Sequence, residues 1–336
     1  MKGERPLLIV TSCTRNYGWV TRAFLEGNTR WADYIVIVDQ MSTDATRPLC
    51  AEYDGRCNVY GVKCKVVIVD DPDMTYKENI RAKMGFMRGR ELAAGRDAIY
   101  FALDIDEVMA TNWMDTKEGK KILESNPGDM FQLEWANIMP DGKNCSRDGW
   151  QYKVFHDNGM DWQDTGEMQM HTPLLPYSSW DIEPREVHDF PLLHFGDFYP
   201  RWTHYKWIYY QFLDVQQRRS NSAISIFRMY QKEENEDWLL QPIDKEWLFE
   251  DRDLIGMVDT KVTPIFVQYI KEIIAKEGIK KFQSIDVWTE EFCKEIGEKD
   301  PRSWGWKLMH KYLRRTQPHR SSFMCKIMDR ILKTMV

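Results

Sequence analysis

Three short stretches, residues 34–38 (YIVIV), 66–69 (VVIV) and 99–103 (IYFAL), are apolar throughout, and each stops at aspartate. A strand with no polar side must be covered on both faces, the situation of a central parallel strand. A fourth apolar run, 7–10, precedes them. Helical patterns fill the gaps: 17–26 closed by Gly27 and Asn28, a short helix capped by Ser42 or Thr43, and 76–94 closed by Gly95. Strands alternating with helices predict a parallel sheet with helices on both faces. Ligands of open α/β sheets bind at the carboxyl ends of the strands, which is where Asp39, Asp70, Asp71, Asp104 and Asp106 fall.

The middle of the chain changes character. Residues 131–138, 152–155 and 169–172 read as strands of mixed burial, joined by turns at Pro140-Asp141-Gly142 and Asp157-Asn158-Gly159. From about Arg201 the pattern becomes helical. Thr263-Pro264 caps a helix carrying Ile265, Phe266, Tyr269, Ile270, Ile273 and Ile274, ended by Gly278. These shifts divide the chain into 1–110, 111–215 and a helical 216–336.

Composition narrows the class. A 43% hydrophobic content supports a sizeable core, and a net charge of −6 argues against general nucleic-acid binding. Seven cysteines with irregular spacing and no C-x-x-C exclude a disulfide framework or zinc site and point to a reducing compartment. No apolar run approaches the roughly 20 residues of a membrane span, and no signal peptide is visible. The expectation is a cytoplasmic protein that is soluble or lies on the inner face of a membrane. Fourteen tryptophans suggest a ligand-lined cleft.

Asp104, Asp106 and Glu107 place three carboxylates within four residues. In extended backbone Asp104 and Asp106 share a face. Two such carboxylates suit Mn²⁺ or Mg²⁺, which leaves its other positions to phosphate oxygens and water. The competing reading is a solvated turn that caps the next helix.

Three segments in order resemble the family-2 glycosyltransferases of the GT-A fold: LLIVTSCTRN at 7–16, IVIVDQMSTDAT at 35–46 and AAGRDAIYFALDIDEV at 93–108. A fourth, PLLHFGDFYPRWTHYKW at 191–207, is similar to the family's late His segment. The resemblance implies a Rossmann-like, mixed, mainly parallel α/β sheet flanked by helices, with 1–110 binding a nucleotide sugar, 111–215 binding the acceptor and a helical C-terminal region. It implies sugar transfer from a nucleoside diphosphate, UDP or another, to a glycan or glycolipid hydroxyl with inversion.

Residue by residue, the resemblance places Asp39 on the base or ribose, Thr11 and Asn16 along the same pocket, and Asp44 in support of its loop. Asp104 lies near the ribose or metal, Asp106 is the main metal ligand and His194 completes the metal shell. Lys206 or Arg201 would neutralise the diphosphate. The sequence departs from the family in Gln40-Met41 and in Ala45, where Gly is usual.

Inverting transfer needs a general base. Glu167 leads the candidates, with Asp164, Asp161 and Glu107 behind it and His171 nearby; Trp162 and Trp180 would stack on the acceptor. The last 36 residues are basic, and residues 322–336 form an amphipathic pattern that either lies on an anionic membrane or packs on its own domain. A nucleotidyltransferase should carry a Gly-rich phosphate loop near the first strand, which TSCTRNYG lacks. A non-catalytic carbohydrate- or nucleotide-binding protein would have little need of the Asp104/Asp106 pair.

Overall fold

The computed structural model of the chain describes residues 5–75, 77–162, 174–176, 182–216, 222–230 and 239–333. Its contacts gather the chain into two units, Met1–Tyr199 with Leu239–Val262, and Pro200–Trp238 with Thr263–Val336.

The first unit opens with β1 (Leu7–Thr14), α1 (Gly18–Asn28), β2 (Tyr34–Asp39), α2 (Thr46–Tyr53), β3 (Lys65–Asp70), α3 (Glu78–Ala93) and β4 (Ala98–Ala102). It continues through β5 (Glu107–Met109), α4 (Lys117–Leu123), β6 (Met130–Ile138), β7 (Asn144–His156), β8 (Arg185–His194) and β9 (Leu240–Pro242). The strands form one mixed sheet in the order β3-β2-β1-β4-β7-β6-β8-β5, with β9 beside β7.

Among the described strands, only β3, β2, β1 and β4 form a continuous parallel half. Beyond β4 the ladders are antiparallel except for β6 with β8. The expected mainly parallel sheet therefore holds for about half of the sheet. The reason lies in the connections: helical crossovers join parallel strands, whereas β6 and β7 are joined by a tight turn. There the Asp141 carboxylate accepts from the Lys143 and Asn144 backbone N–H groups. The expected strand 169–172 lies outside the described residues.

Alternation along the parallel strands supplies two core layers. Leu8, Val10, Ile35, Ile37, Ile99 and Phe101 pack with Phe24 and Leu25 of α1 and Leu49 of α2. Leu7, Ile9, Val36, Tyr100 and Ala102 pack on the other face with Phe86 of α3. Much of the tryptophan content serves this packing: Trp31 meets Trp113 edge-on at 5.2 Å, and both are buried.

Three local expectations change. Ser42 and Thr43 do not cap α2; that helix starts at Thr46, whose N–H donates to Asp44 Oδ1 at 2.9 Å. Gly27 does not stop α1. It admits β5, because a Cβ there would lie 2.2 Å from Val108 Cγ1. Thr263 does not cap the later helix α7 (Phe266–Glu277), whose first flanking residue is Ile265.

Residues 240–262 belong to the first unit by specific bonds. Thr111 N–H donates to Trp247 O at 3.0 Å, Asp259 N–H donates to Trp19 O at 2.8 Å, and Arg30 pairs with Asp251 at 3.1 Å.

The second unit contains α5 (Pro200–Gln216), α6 (Ala223–Tyr230), α7, α8 (Glu290–Ile296), α9 (Trp304–Thr316) and α10 (Phe323–Lys333). Its core is aromatic: Phe212 lies 4.6 Å from Phe282, and Trp202 lies 5.0 Å from Phe266. Asp286 is held by both Arg302 and Arg314. Among the described residues no helix is long and apolar enough to cross a membrane.

Candidate functional site

The loops at the carboxyl edge of the parallel strands are stitched together. Asn16 sits at φ 59°, a conformation Asn tolerates better than most residues. Its Oδ1 accepts from Thr43 N–H at 2.7 Å, and its own N–H donates to Ser42 Oγ at 2.7 Å. Asp44 Oδ2 accepts from Gly18 N–H at 2.7 Å while Oδ1 accepts from Thr46 N–H, so one carboxylate caps both α1 and α2. Gln40 Nε2 reaches the next loop, donating to Asp73 O at 2.6 Å.

Asp39 is buried within this wall. It accepts from Ser42 N–H at 3.0 Å and from Ser42 Oγ, and it pairs with Arg47 at 2.9 Å. Arg47 also reaches Asp70 at 2.8 Å. Thr11 is buried in β1, with its Cβ facing Gly85 of α3. Arg81, which sequence reading passed over, is buried against Asp71 at 2.8 Å and donates to Asp73 O at 3.0 Å. Burial pushes the Cys13 thiol up, and the charges of Arg81, Asp104, Glu78 and Asp71 all act on it. β1, β2, β3 and β4 run parallel, so the residues at and just past their carboxyl ends share one end of the sheet.

The carboxylates after β4 are not on extended backbone. Residues 104–107 form a turn, in which Glu107 N–H donates to Asp104 O at 2.9 Å. Asp104 N–H in return donates to Glu107 Oε2 at 2.8 Å. Glu107 thus closes the turn that presents the two aspartates. Its carboxylate is fully buried and also receives Trp135 Nε1–H at 2.6 Å and the Lys153 ammonium at 2.7 Å.

Lys153 lies between two acids, since Asp104 Oδ2 is 3.0 Å away. Burial, the largest influence on Lys153, pushes its ammonium down, but Asp104 and Glu107 outweigh it and the net direction is up. Burial raises the Glu107 carboxyl against the opposing pull of Lys153. Three donors facing Glu107 favour its ionised form, so the two charges are held as a pair.

Asp106 turns elsewhere. It is 3% exposed, and its Oδ2 lies 3.9 Å from His194 Nε2. His194 is set by β8 against β5, where it pairs with Glu107 in the ladder. Trp135 stacks on the imidazole at 4.6 Å and 13°. A Cβ on Gly196 would lie 2.4 Å from His194 Cε1, so glycine is required where the ring passes. His194 Nδ1 lies 2.6 Å from Asn137 Oδ1, an acceptor that calls for a proton on Nδ1 and leaves Nε2 as the ring nitrogen facing Asp106.

Among the described residues, no three His, Cys, Asp or Glu side chains converge as a preformed metal cage. The Asp106/His194 pair nonetheless has suitable chemistry for half a site. A carboxylate and an imidazole oriented through its other nitrogen make a common ligand pair, and Mg²⁺-type ions usually take further ligands from substrate phosphates and water.

No protein family matches the chain, and no curated protein matches it. Among solved structures it is similar to the mannosyltransferase PcManGT from Pyrobaculum calidifontis, solved in complex with GDP-Man and Mn²⁺. That match has 15% identity and a TM-score of 0.28, and covers 41% of this chain and 37% of the mannosyltransferase. A likeness this slight leaves the reading of the site to its residues and geometry.

Asp164, Glu167, His171 and Trp180 lie outside the described residues. Trp162 packs on Phe86 at 5.6 Å, and the Asp161 charge acts on Arg90. In the second unit Arg201 pairs with Glu295 at 3.1 Å, and Lys206 lies over the Tyr210 ring at 6.0 Å.

One further alignment has the composition of a hydrolase triad. Ser125 Oγ is 3.0 Å from His156 Nδ1, and His156 Nε2 is 2.7 Å from Asp97 Oδ1. Ser125, however, donates its proton to Ile122 O at 2.7 Å, and His156 is 1% exposed. A nucleophile must give its proton to the base and meet substrate, so this cluster closes the end of α4 instead.

Proposed function

We propose that the chain is a GT-A-type glycosyltransferase that moves a sugar from a nucleoside diphosphate, UDP or another, to a hydroxyl acceptor with inversion. The observation that carries this reading is the turn after β4, which brings Asp106 opposite His194 just past the carboxyl end of the parallel half of the mixed sheet.

Asp106 and His194 would hold Mn²⁺ or Mg²⁺, which supplies positive charge to the departing diphosphate. Asn137 and Trp135 fix the His194 ring, and Gly196 leaves room for it. Lys153 and Glu107 hold Asp104 in place at the rim, where its carboxylate is 44% exposed and available to a ribose hydroxyl. The stitched loops of Asn16, Asp39 and Asp44 form a rigid wall beside the donor. Glu107 spends its oxygens on Asp104, Lys153 and Trp135, so it acts by positioning. The acceptor's proton would then pass to Glu167 or Asp164, with Trp162 and Trp180 near the acceptor.

Thermal shift across a panel of sugar nucleotides, with and without Mn²⁺, tests the proposal. One nucleoside diphosphate series should stabilise the protein only when Mn²⁺ is present, and Asp106→Asn should abolish that response. No response from any nucleotide, with Asp106→Asn melting and binding as the parent does, would overturn it.

A further inference from the structure

We propose that α10 is a docking surface for an anionic phospholipid bilayer. The contacts of this helix with α6 and α9 residues of its own unit include one narrow side. Arg228 of α6 reaches across to pair with Asp329 at 3.0 Å and donates to Leu313 O at 3.0 Å and Thr316 Oγ1 at 2.6 Å. Cys325 is buried on this side, and Leu332 packs against the small core of Ile224, Phe227 and Leu313. Residues 325, 329 and 332 fall within a narrow arc of the helix at 3.6 residues per turn.

The remaining circumference has two adjoining parts. One is apolar and exposed: Phe323 at 76%, Met324 at 67%, Ile331 at 48% and Met328 at 39%. Beside it stand Lys326, Arg330 and Lys333, all exposed. An apolar arc bordered by cations is the arrangement of a helix lying in a membrane interface, where the apolar side chains enter the acyl boundary and the cations meet lipid phosphates.

Charge selects the occupant. α10 itself carries Lys326, Arg330 and Lys333 against one acid, Asp329, in a chain of net charge −6. Asp329 is already paired with Arg228. A second copy meeting this surface symmetrically would set the same cations against each other, whereas an anionic leaflet satisfies both the cations and the apolar arc.

The test is co-sedimentation of the full chain with vesicles of phosphatidylcholine alone and of phosphatidylcholine mixed with phosphatidylglycerol. Binding to the mixed vesicles is expected, together with little binding to phosphatidylcholine and loss of binding at high salt. Phe323→Asp with Met324→Asp should weaken it about tenfold or more, as should Lys326→Glu with Arg330→Glu. These positions are exposed, so the variants should melt with the parent. Failure to bind the mixed vesicles at low salt, equal binding to both vesicles, or unchanged binding by both variants would overturn the proposal. So would self-association of the chain without vesicle binding. The assay reads no sugar transfer, so its outcome is separate from that of the proposed activity.

Discussion

Trp135 joins two carboxylate-linked groups at once: its ring lies flat on His194 at 4.6 Å, while its Nε1–H is given to Glu107 at 2.6 Å. Trp135→Phe keeps a stacking ring but removes the donor from a buried carboxylate. Equilibrium urea unfolding should show a loss of about 1–3 kcal/mol. Trp135→Ala should in addition weaken Mn²⁺ binding, read by calorimetry in the presence of nucleoside diphosphate, by about tenfold or more, because the imidazole loses its orientation.

Lys153→Met tests the ion pair beneath the turn. It leaves Glu107 buried without its counter-charge, a change that costs about 3–5 kcal/mol. Combining it with Glu107→Gln should recover a large part of that loss. A double-mutant cycle measured by urea unfolding gives the coupling directly. Additive losses in the cycle would show that the two groups do not act as a pair.

Gly196→Ala places a methyl group where the His194 ring passes. The ring must shift, while the surrounding sheet has no reason to unfold. The expected result is a melting temperature close to that of the parent together with a Mn²⁺ response reduced about tenfold. Retained metal response in Gly196→Ala would remove His194 from the proposed ligand pair.

His310 predicts the acid limb of the second unit. Burial lowers its pKa from the ordinary value; Asp286 opposes this, as does the contact with Ser284 O, while Arg302 and Arg314 add to it. The folded form therefore resists a proton that the unfolded chain accepts near about pH 6.5. The stability from keeping His310 neutral is fully present above about pH 6.5 and falls as the pH drops toward the lowered folded value. Urea unfolding from about pH 8 to about pH 5.5 should show this decline, and His310→Gln should make it shallower.

The parallel half of the sheet is legible because YIVIV, VVIV and IYFAL have no polar side to expose. The turn at Asp104 is legible as a charge cluster but not as a turn, since extended and turn backbone carry the same residues. Lys153 could not be found this way. In YKVF it reads as the wet side of an ordinary strand, and its burial comes from β7 pairing with β4, which sets Val154 opposite Phe101. Trp135 is hidden for a related reason, because a register shift between Glu134 and Trp135 breaks strict alternation along β6. Asp39 shows the opposite difficulty. Its position at a strand end suggests ligand contact, yet its partners Ser42 and Arg47 lie only a few residues ahead and take up its oxygens.

The return of residues 240–262 to the first unit bears on the order in which the chain can fold during synthesis. When Tyr199 leaves the ribosome, the parallel half of the sheet has all its strands, but Trp19 and Thr111 still lack the backbone partners supplied by Asp259 and Trp247. Residues 200–238 must emerge before those partners arrive. The first unit therefore passes through a nascent stage with part of β7 unpaired where β9 will lie. An exposed strand edge invites wrong pairing. A chain cut at Tyr199 should be trapped at that stage, and its solubility would reveal how much protection the late-arriving segment provides.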